Sequence, residues 1–228
     1  MPNLPKSPKL PKVPLWKKGV IAVASLGILA GTATVAKRVI DPTEIVTEVI
    51  DGDTFRISNK QTIRVYGVDA PELSLCFGQE AKEALTKKIL NKKVILKSPR
   101  TDFWRRVEAY VYVDGEFVNE YLAKNGYGAD HSDGSTESVI IKEAGNFAQT
   151  NRVGIYSPTC YPLTPPKANC LVKGHVPYST KDKRYLVQGC NSYEKAIVER
   201  YRGEDWFCTE AEASAAGFIK SSSCPITN

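Results

Sequence analysis

The sequence predicts a mainly β fold with helices (α+β), in which a small closed barrel precedes a small cysteine-rich α+β unit. Short β-branched runs follow one another from residue 45 to residue 68, and helix and strand periods then alternate up to residue 148. Four of the six cysteines fall within residues 170–224, a stretch too short to be comfortable on apolar burial alone. These observations favour a barrel carrying helices, followed by a cross-linked unit.

The elements of the barrel follow from their patterns. Three strand-like runs, EIVTEVI, TFRI and TIRVYGV, are separated by the turn residues Asp51-Gly52-Asp53 and Ser58-Asn59-Lys60. Residues 78–90 change to a helical period that places Ala81, Leu85 and Ile89 on one face. Further strands are predicted at 94–97 and 106–113, a hairpin turn at 114–115, and helices at 118–126 and through 140–148.

The C-terminal part is predicted as a linker followed by a small unit. A strand is expected at 185–188 and a helix at 193–201, and a capping box from Thr209 to Glu212 opens a helix that ends at Gly217. The predicted organisation is a tail over 1–18, an apolar segment over 19–36, a barrel domain over 44–156, a linker over 157–172 and a C-terminal domain over 173–228.

Composition places the chain among ordinary globular proteins. Its 228 residues are 42% hydrophobic and 25% charged, which excludes bulk disorder, collagen and a multi-span membrane protein. Seven basic side chains lie within the first 40 residues, without an acidic one, and the net charge of the whole chain is only +6. The rest of the chain is therefore near neutral, and the excess of positive charge over the whole chain says nothing about a nucleic-acid footprint.

The N-terminus predicts a membrane segment. Prolines recur every third residue from 2 to 14 with lysines between them, as in a stiff polyproline II spacer. Residues 19–36 contain no charge and would rise ~27 Å as a helix, enough to span a bilayer. The positive-inside rule then places the later residues outside the cytoplasm. The alternative is a secretory signal cleaved near Gly31-Thr32-Ala33, which would make the protein secreted.

Six cysteines on the exported side predict disulfides. Those that bracket the C-terminal unit are expected to pair among themselves, and the other two to pair with each other. The first group is Cys170, Cys190, Cys208 and Cys224, and the second is Cys76 and Cys160. The alternative is a zinc site with four thiolates.

Five charged residues in and beside the predicted strands form a candidate site. Asp53 and Asp69 are hard oxygen donors at strand ends, typical of a Ca²⁺ site that water or a phosphate oxygen completes. Arg64 and Arg106 can bind a phosphodiester with two hydrogen bonds each and stabilise its transition state. Glu72, just after Pro71, is placed to orient or deprotonate water.

These residues and their spacing resemble the staphylococcal nuclease (thermonuclease) family. The resemblance extends from about residue 45 to 156, and its strongest parts are VIDGDTFRI, IRVYGVDAPE, FGQEAKEALTKKIL and EAYVYVDGEFVNEYLAKNGYG. It implies a five-stranded oligonucleotide-binding (OB) barrel with three helices. It also implies a Ca²⁺-dependent nuclease that hydrolyses DNA and RNA with little sequence preference and leaves 3′-phosphates.

The resemblance assigns a role to each matching residue. Asp53, Asp69 and the carbonyl of Ala70 would bind Ca²⁺, Glu72 would activate water, and the two arginines would bind the phosphate. The partners expected are DNA and RNA as substrate and a membrane through residues 19–36, with the protein acting as a monomer. The alternatives are a non-catalytic module that binds nucleic acid or protein, and a structural cell-envelope protein.

The sequence departs from the family at three places. Ala70 stands where threonine is common, Phe103-Trp104-Arg105 replaces a Lys-Tyr-Gly, and residues 130–134 replace a tyrosine-rich segment. Phe103 and Trp104 are expected either to stack on a base or to pack on a hairpin. His131 has no ligand partner at short spacing and is left out of the predicted mechanism. The C-terminal pattern from residue 173 is similar to a small domain found attached to bacterial nucleases of this family.

Overall fold

The computed structural model describes residues 43–102, 105–131, 133–178 and 182–225, all of which fall within one compact unit. The predicted tail, the apolar segment 19–36, Phe103 and Trp104 lie outside the described residues. Within the described part of the chain, no helix is long and apolar enough to cross a membrane.

Five strands close into a barrel, as the sequence and its family resemblance predict. The sheet runs in the order β3-β2-β1-β5-β6-β7, and parallel pairing of β3 with β6 closes five of these strands. The strands are β1 (Thr43–Val49), β2 (Thr54–Ile57), β3 (Thr62–Val65), β4 (Val68–Asp69), β5 (Lys93–Thr101), β6 (Val107–Val113), β7 (Glu116–Phe117) and β8 (Ala129–Asp130). Register shifts at 46–48 in β1 and 97–100 in β5 supply irregularities that bend strands around a barrel.

The barrel encloses one continuous apolar core. The β-branched and aromatic residues of the predicted strands point inward at alternate positions, and Val46, Phe55, Ile63 and Val65 are fully buried. The predicted run TIRVYGV does not remain one strand. It turns at Gly67, which adopts a φ of +79°, and β4 then pairs with β8 outside the barrel.

Three helices cover the barrel where the sequence predicts them: α1 (Gly78–Ile89), α2 (Val118–Lys124) and α3 (Thr136–Thr150). Helix α1 buries the predicted face, including Ala81, Leu85 and Ile89. Asn119 of α2 is fully buried and bridges two strand segments: its Oδ1 accepts from the Val111 amide at 2.9 Å, and its Nδ2 donates to the Tyr66 carbonyl at 2.6 Å. These bonds fix the backbone that leads into β4.

The C-terminal part forms a second, smaller sheet in the order β11-β9-β10-β12. Its elements are β9 (Val172–His175), β10 (Arg184–Leu186), β11 (Trp206–Phe207), α4 (Glu210–Ala215) and β12 (Ile219–Lys220). The predicted cap is present, because the Thr209 hydroxyl accepts from the Glu212 amide at 3.1 Å. Gly217 follows α4 with a φ of +85°, as expected of a residue that ends a helix.

The prediction of a helix at 193–201 is wrong. This segment consists of turns and irregular backbone and ends in a single 3-10 turn, Arg200–Arg202. Lys173 explains the difference, because its Nζ donates to the carbonyls of Tyr193 and Ala196, both at 2.7 Å. A tertiary partner therefore uses carbonyl groups that a helix would have bonded internally.

The six cysteines form three disulfides, Cys76–Cys160, Cys170–Cys208 and Cys190–Cys224, so the disulfide interpretation and its predicted grouping are confirmed over the zinc alternative. The first links the loop before α1 to the segment after α3. Apolar packing reinforces this link, because Tyr201 lies in one cluster with Ala148, Ile155 and Tyr156.

Candidate active site

Three of the predicted site residues, Asp53, Arg64 and Asp69, meet at the ends of adjacent strands of the barrel. Asp53 directly precedes β2, and Thr54 of β2 pairs with Arg64 of β3. The turn at Gly67 then brings β4 back, so that Asp69 also reaches Arg64. A side chain on Gly52 would meet Ala70 and Ala81 at 2.6 Å, so only glycine lets this turn lie so close to Ala70 and α1.

Arg64 bridges the two aspartates. Its Nη1 donates to Asp53 Oδ1 at 2.7 Å, and its Nη2 donates to Asp69 Oδ1 at 2.5 Å. Burial disfavours the charged guanidinium, but the two carboxylates outweigh burial and raise the pKa of Arg64. The guanidinium therefore stays positive and fixes the spacing of the carboxylates.

Asp53 is the buried member of the pair, with 2% of its surface exposed. It accepts hydrogen bonds from the Thr54 hydroxyl and the Ala70 amide, both at 2.8 Å. Burial nevertheless raises its pKa to about 7, with a further contribution from the charge of Asp51 and against the opposing effect of Arg64. The negative charge of Asp53 is thus incompletely compensated, which is the environment in which a bound cation is stabilising.

Asp69 is the open member, with 59% of its side chain exposed. Partial burial opposes its ionisation, but hydrogen bonds from His131 and Arg64 outweigh burial and lower its pKa to about 2. The two carboxylates therefore differ in solvation and in basicity while sharing one arginine.

His131 lies in the site, although its sequence context predicted no role for it in the mechanism. Its Nδ1 is 3.5 Å from Asp69 Oδ2, and its amide donates to the Gly67 carbonyl at 3.1 Å. The bond to Asp69 raises the pKa of His131. Pairing of β4 with β8 produces this contact between residues far apart in the chain, and no local pattern carried a signal for it.

Asp51 is a second residue that sequence reasoning treated only as part of a turn. Its Oδ1 accepts from the Asp53 amide at 3.1 Å, which orients the turn that carries Asp53. The DGD spacing was a usable signal, since an aspartate side chain often accepts from the backbone amide two residues further on and so closes a turn.

Glu72 follows Asp69 by three residues, and Arg106 precedes the strand that pairs with β3. Glu72 is exposed, and among the described residues no hydrogen bond to its carboxylate is found. Its carbonyl accepts from the Leu75 amide at 2.8 Å, which fixes the loop before α1. Arg106 directly precedes β6, whose Val107 pairs with Ile63 beside Arg64. Asp102 holds Arg106 by accepting from its Nε and from its amide, both at 2.7 Å.

The donors present fit a Ca²⁺ ion, although they do not complete its coordination. Asp53, Asp69 and the carbonyl of Ala70 supply oxygen only, as Ca²⁺ prefers, and a cation beside the buried Asp53 would offset the burial that disfavours its charge. No group of three or more histidine, cysteine or acidic side chains that could hold a metal occurs within the described ranges. Water and substrate oxygens would therefore have to fill the remaining positions.

Residues 62–158 match the family model of staphylococcal nuclease homologues. The matched segment contains Arg64, Asp69, Glu72 and Arg106, whereas Asp53 and the C-terminal sheet lie outside it. The comparison supports a nuclease-family domain in this part of the chain.

Individual relatives agree with that assignment at modest identity. A probable staphylococcal-like nuclease, CAN1, of Oryza sativa subsp. japonica is 33% identical over 101 residues, which are 44% of this chain and 30% of the relative. An uncharacterized endonuclease of Haemophilus influenzae is 28% identical over 116 residues, which are 49% of this chain and 65% of the relative. The chain thus spans between about a third and about two thirds of the length of these curated relatives.

Proposed function

We propose that the protein is a Ca²⁺-dependent phosphodiesterase that hydrolyses DNA and RNA with little sequence preference and leaves 3′-phosphates. The observation that carries this proposal is the pair of ion pairs that Arg64 forms with a buried aspartate, Asp53, and an exposed one, Asp69. Arg64 and Asp69 lie in a part of the chain that is similar to nucleases. Such a site places fixed positive charge and oxygen ligands where a phosphodiester could bind.

The residues of the site divide the work of phosphodiester cleavage. Asp53, Asp69 and the Ala70 carbonyl would hold Ca²⁺, which when bound would offset negative charge on the scissile phosphate. Arg64 and Arg106 bind the phosphate oxygens, and their contacts strengthen as the phosphorus gains a fifth ligand. Arg64 can exchange Asp69 for the substrate, since Asp69 is the exposed partner.

Glu72 acts on the attacking water. Its exposed carboxylate accepts a proton from water as the water oxygen bonds to phosphorus and the bond from phosphorus to the 5′ oxygen breaks. The leaving 5′ oxygen takes a proton from solvent. The products are a 3′-phosphate on one fragment and a 5′-hydroxyl on the other, so that atoms and charge balance.

The decisive experiment is cleavage of labelled single-stranded DNA and RNA by the full-length protein, with Ca²⁺ or with a chelator. We expect hydrolysis only with Ca²⁺, because both carboxylates belong to an oxygen-only site. Fragments carrying 3′-phosphates should accept no label from terminal transferase until phosphatase treatment. Equal rates of hydrolysis in chelator would refute the assignment of Ca²⁺ to the site. The absence of hydrolysis under every condition would refute the proposal that the protein is a nuclease.

A non-catalytic binding module is the alternative. It is favoured by the completed ion pairs of Arg64, which would also be found if the arginine only stabilised the barrel. That alternative predicts that oligonucleotides bind without being cleaved, which fluorescence anisotropy in Ca²⁺ would detect.

We also propose that the protein acts outside the cytoplasmic membrane, anchored through residues 19–36 or secreted after their removal. The pairing of all six cysteines supports this, because structural disulfides persist mainly in oxidising compartments. Fractionation of cells that express the full chain, followed by a protease-protection assay, would test the orientation.

A further inference from the structure

The C-terminal part of the chain forms one wall of a cavity beside Asp69, one of the proposed Ca²⁺ ligands. This cavity has a volume of about 210 Å³. It is lined by Asp69, Ala70, Pro71 and Ala129 from the barrel domain, and by Tyr178, Tyr201 and Arg202 from the C-terminal part. Sites that enclose drug-sized ligands are usually ~300–1,000 Å³, so this volume suits a single heterocycle.

Tyr178 is an exposed aromatic ring held in a fixed orientation. It is 72% exposed. The Arg202 guanidinium lies 3.4 Å from its ring centroid, and its hydroxyl donates to Glu199 Oε2 at 3.1 Å. One face of the ring is therefore covered by an arginine, while much of the side chain remains open to solvent.

Arg202 is itself immobilised. Its Nη1 donates to Glu199 at 2.8 Å and its Nη2 to the Val176 carbonyl at 2.7 Å, and only 16% of its side chain is exposed. Glu199 thus bonds both Tyr178 and Arg202, which orders the pair before any ligand arrives. An ordered aromatic side chain binds a flat ligand at low entropic cost.

The wall is firmly attached to the barrel domain. Tyr201, beside Arg202, is 5% exposed and packs with Tyr156 at a ring distance of 6.2 Å. The Arg200 amide donates to the carbonyl of Cys160 at 2.9 Å, and Cys160 is bonded to Cys76 of the loop that follows Glu72. The position of Tyr178 is therefore coupled to the loop that carries the proposed general base.

Two aromatic residues of the barrel domain, Tyr66 and Tyr127, are already covered by other side chains. Tyr127 stacks on Phe77 at 5.8 Å, and the Arg100 guanidinium covers Tyr66 at 3.4 Å. Ala129, on the barrel side of the cavity, has only a methyl group. Among the described residues, Tyr178 is the strongly exposed aromatic that lines a cavity with Asp69.

We propose that Tyr178, backed by Arg202, is a stacking platform for a nucleobase next to the cleaved phosphodiester. This inference rests on the proposed nuclease function and assigns to the C-terminal domain a part in binding substrate. Stacking is tolerant of sequence, since every base has a π face, so the platform is compatible with low sequence preference. Tyr178 would raise affinity without taking part in the chemical step.

The first test is the kinetics of full-length Tyr178→Ala on single-stranded oligothymidylate with Ca²⁺. We expect KM to rise roughly five- to a hundredfold, the effect of losing one stacked base, with kcat little changed. Tyr178→Phe keeps the ring and should stay close to wild type. Phe147→Ala removes another exposed aromatic, on α3 and outside the cavity, and is the matched control.

A substrate modification makes the test specific. An oligonucleotide with an abasic residue at the contacted position should be cleaved with the same KM by wild type and Tyr178→Ala, whereas abasic residues elsewhere should preserve the difference. A rise in KM that no single abasic position abolishes would overturn the platform.

Photocrosslinking gives a readout that does not need turnover. Oligonucleotides carrying 5-iodouracil, irradiated with the full-length protein in chelator, should form an adduct on Tyr178 that mass spectrometry identifies. Adducts confined to other residues would overturn the inference. An adduct on Tyr178 without any hydrolysis in Ca²⁺ would refute the proposed nuclease function but support base stacking on Tyr178. Hydrolysis with an unchanged KM in Tyr178→Ala would support the nuclease function but refute base stacking on Tyr178.

Discussion

The barrel and the C-terminal sheet are stabilised by different means. One continuous core of fully buried apolar residues fills the barrel and reaches α2 and α3, and no disulfide joins two of its strands. The C-terminal sheet has two small apolar clusters and two disulfides of its own. The difference shows how a short segment reaches a fixed structure when its core is too small, by covalent links and buried polar bonds.

The largest expected loss of stability comes from a substitution in the core of the barrel. Phe55→Ala should lower the free energy of unfolding by ~3–5 kcal/mol, because Phe55 is fully buried in the core and a cavity would remain. Urea denaturation followed by circular dichroism would measure this loss.

The matched control is Phe207→Ala, which truncates a partly buried phenylalanine packed on Phe218 in the C-terminal sheet. It should cost less and leave the barrel transition unchanged. Similar losses from the two variants, each unfolding the whole chain, would contradict the proposed difference between the regions.

The next effect breaks the C-terminal sheet alone. Replacing Cys170 and Cys208 together by serine removes a link that closes a separation of 38 residues and should cost ~2–4 kcal/mol. Hydrogen exchange should show faster exchange in β9 to β12, while amides of β2, β3 and α1 remain protected. If Tyr178 binds substrate, KM should rise as well.

The control compares this double serine variant with the wild type under reducing conditions. Reductant should destabilise the wild type more than the double serine variant, because one of the links is already absent there. Uniformly faster exchange throughout the barrel would contradict independent stabilisation of the two regions.

The third prediction concerns kcat, which should depend on Glu72 of the barrel domain and not on the C-terminal residues that line the cavity. Glu72→Gln should lower kcat by about a hundredfold or more, a typical loss for a general base, and leave stability unchanged because the side chain is exposed. Glu80→Gln, an exposed carboxylate in the first turn of α1, is the control and should keep wild-type turnover. Wild-type rates in Glu72→Gln would exclude it from the reaction.

Much of the barrel was predictable because its signals are local. The spacing of Ala81, Leu85 and Ile89 predicts α1, and the turn residues around Asp53 and at 114–115 separate the strands. The even cysteine count and its grouping around the C-terminal part also predicted disulfides within two groups, although which of the four C-terminal cysteines bond to each other came only from the structure. In each case neighbouring residues decide the outcome through period, turn geometry or redox chemistry.

Other features depended on contacts between distant parts of the chain. Lys173 donates hydrogen bonds to the carbonyls of Tyr193 and Ala196, and these bonds compete with the helix that the local sequence pattern favours. His131 reaches Asp69 only because β8 pairs with β4.

Residue type and spacing are enough to identify the candidate site residues, which are Asp53, Arg64, Asp69, Glu72 and Arg106. Tertiary structure alone decided that one guanidinium bridges the aspartates, that one carboxylate is buried and the other open, and that Tyr178 faces the same cavity. The physical reason is that charge compensation and burial depend on distances across the folded chain, which residue order does not specify.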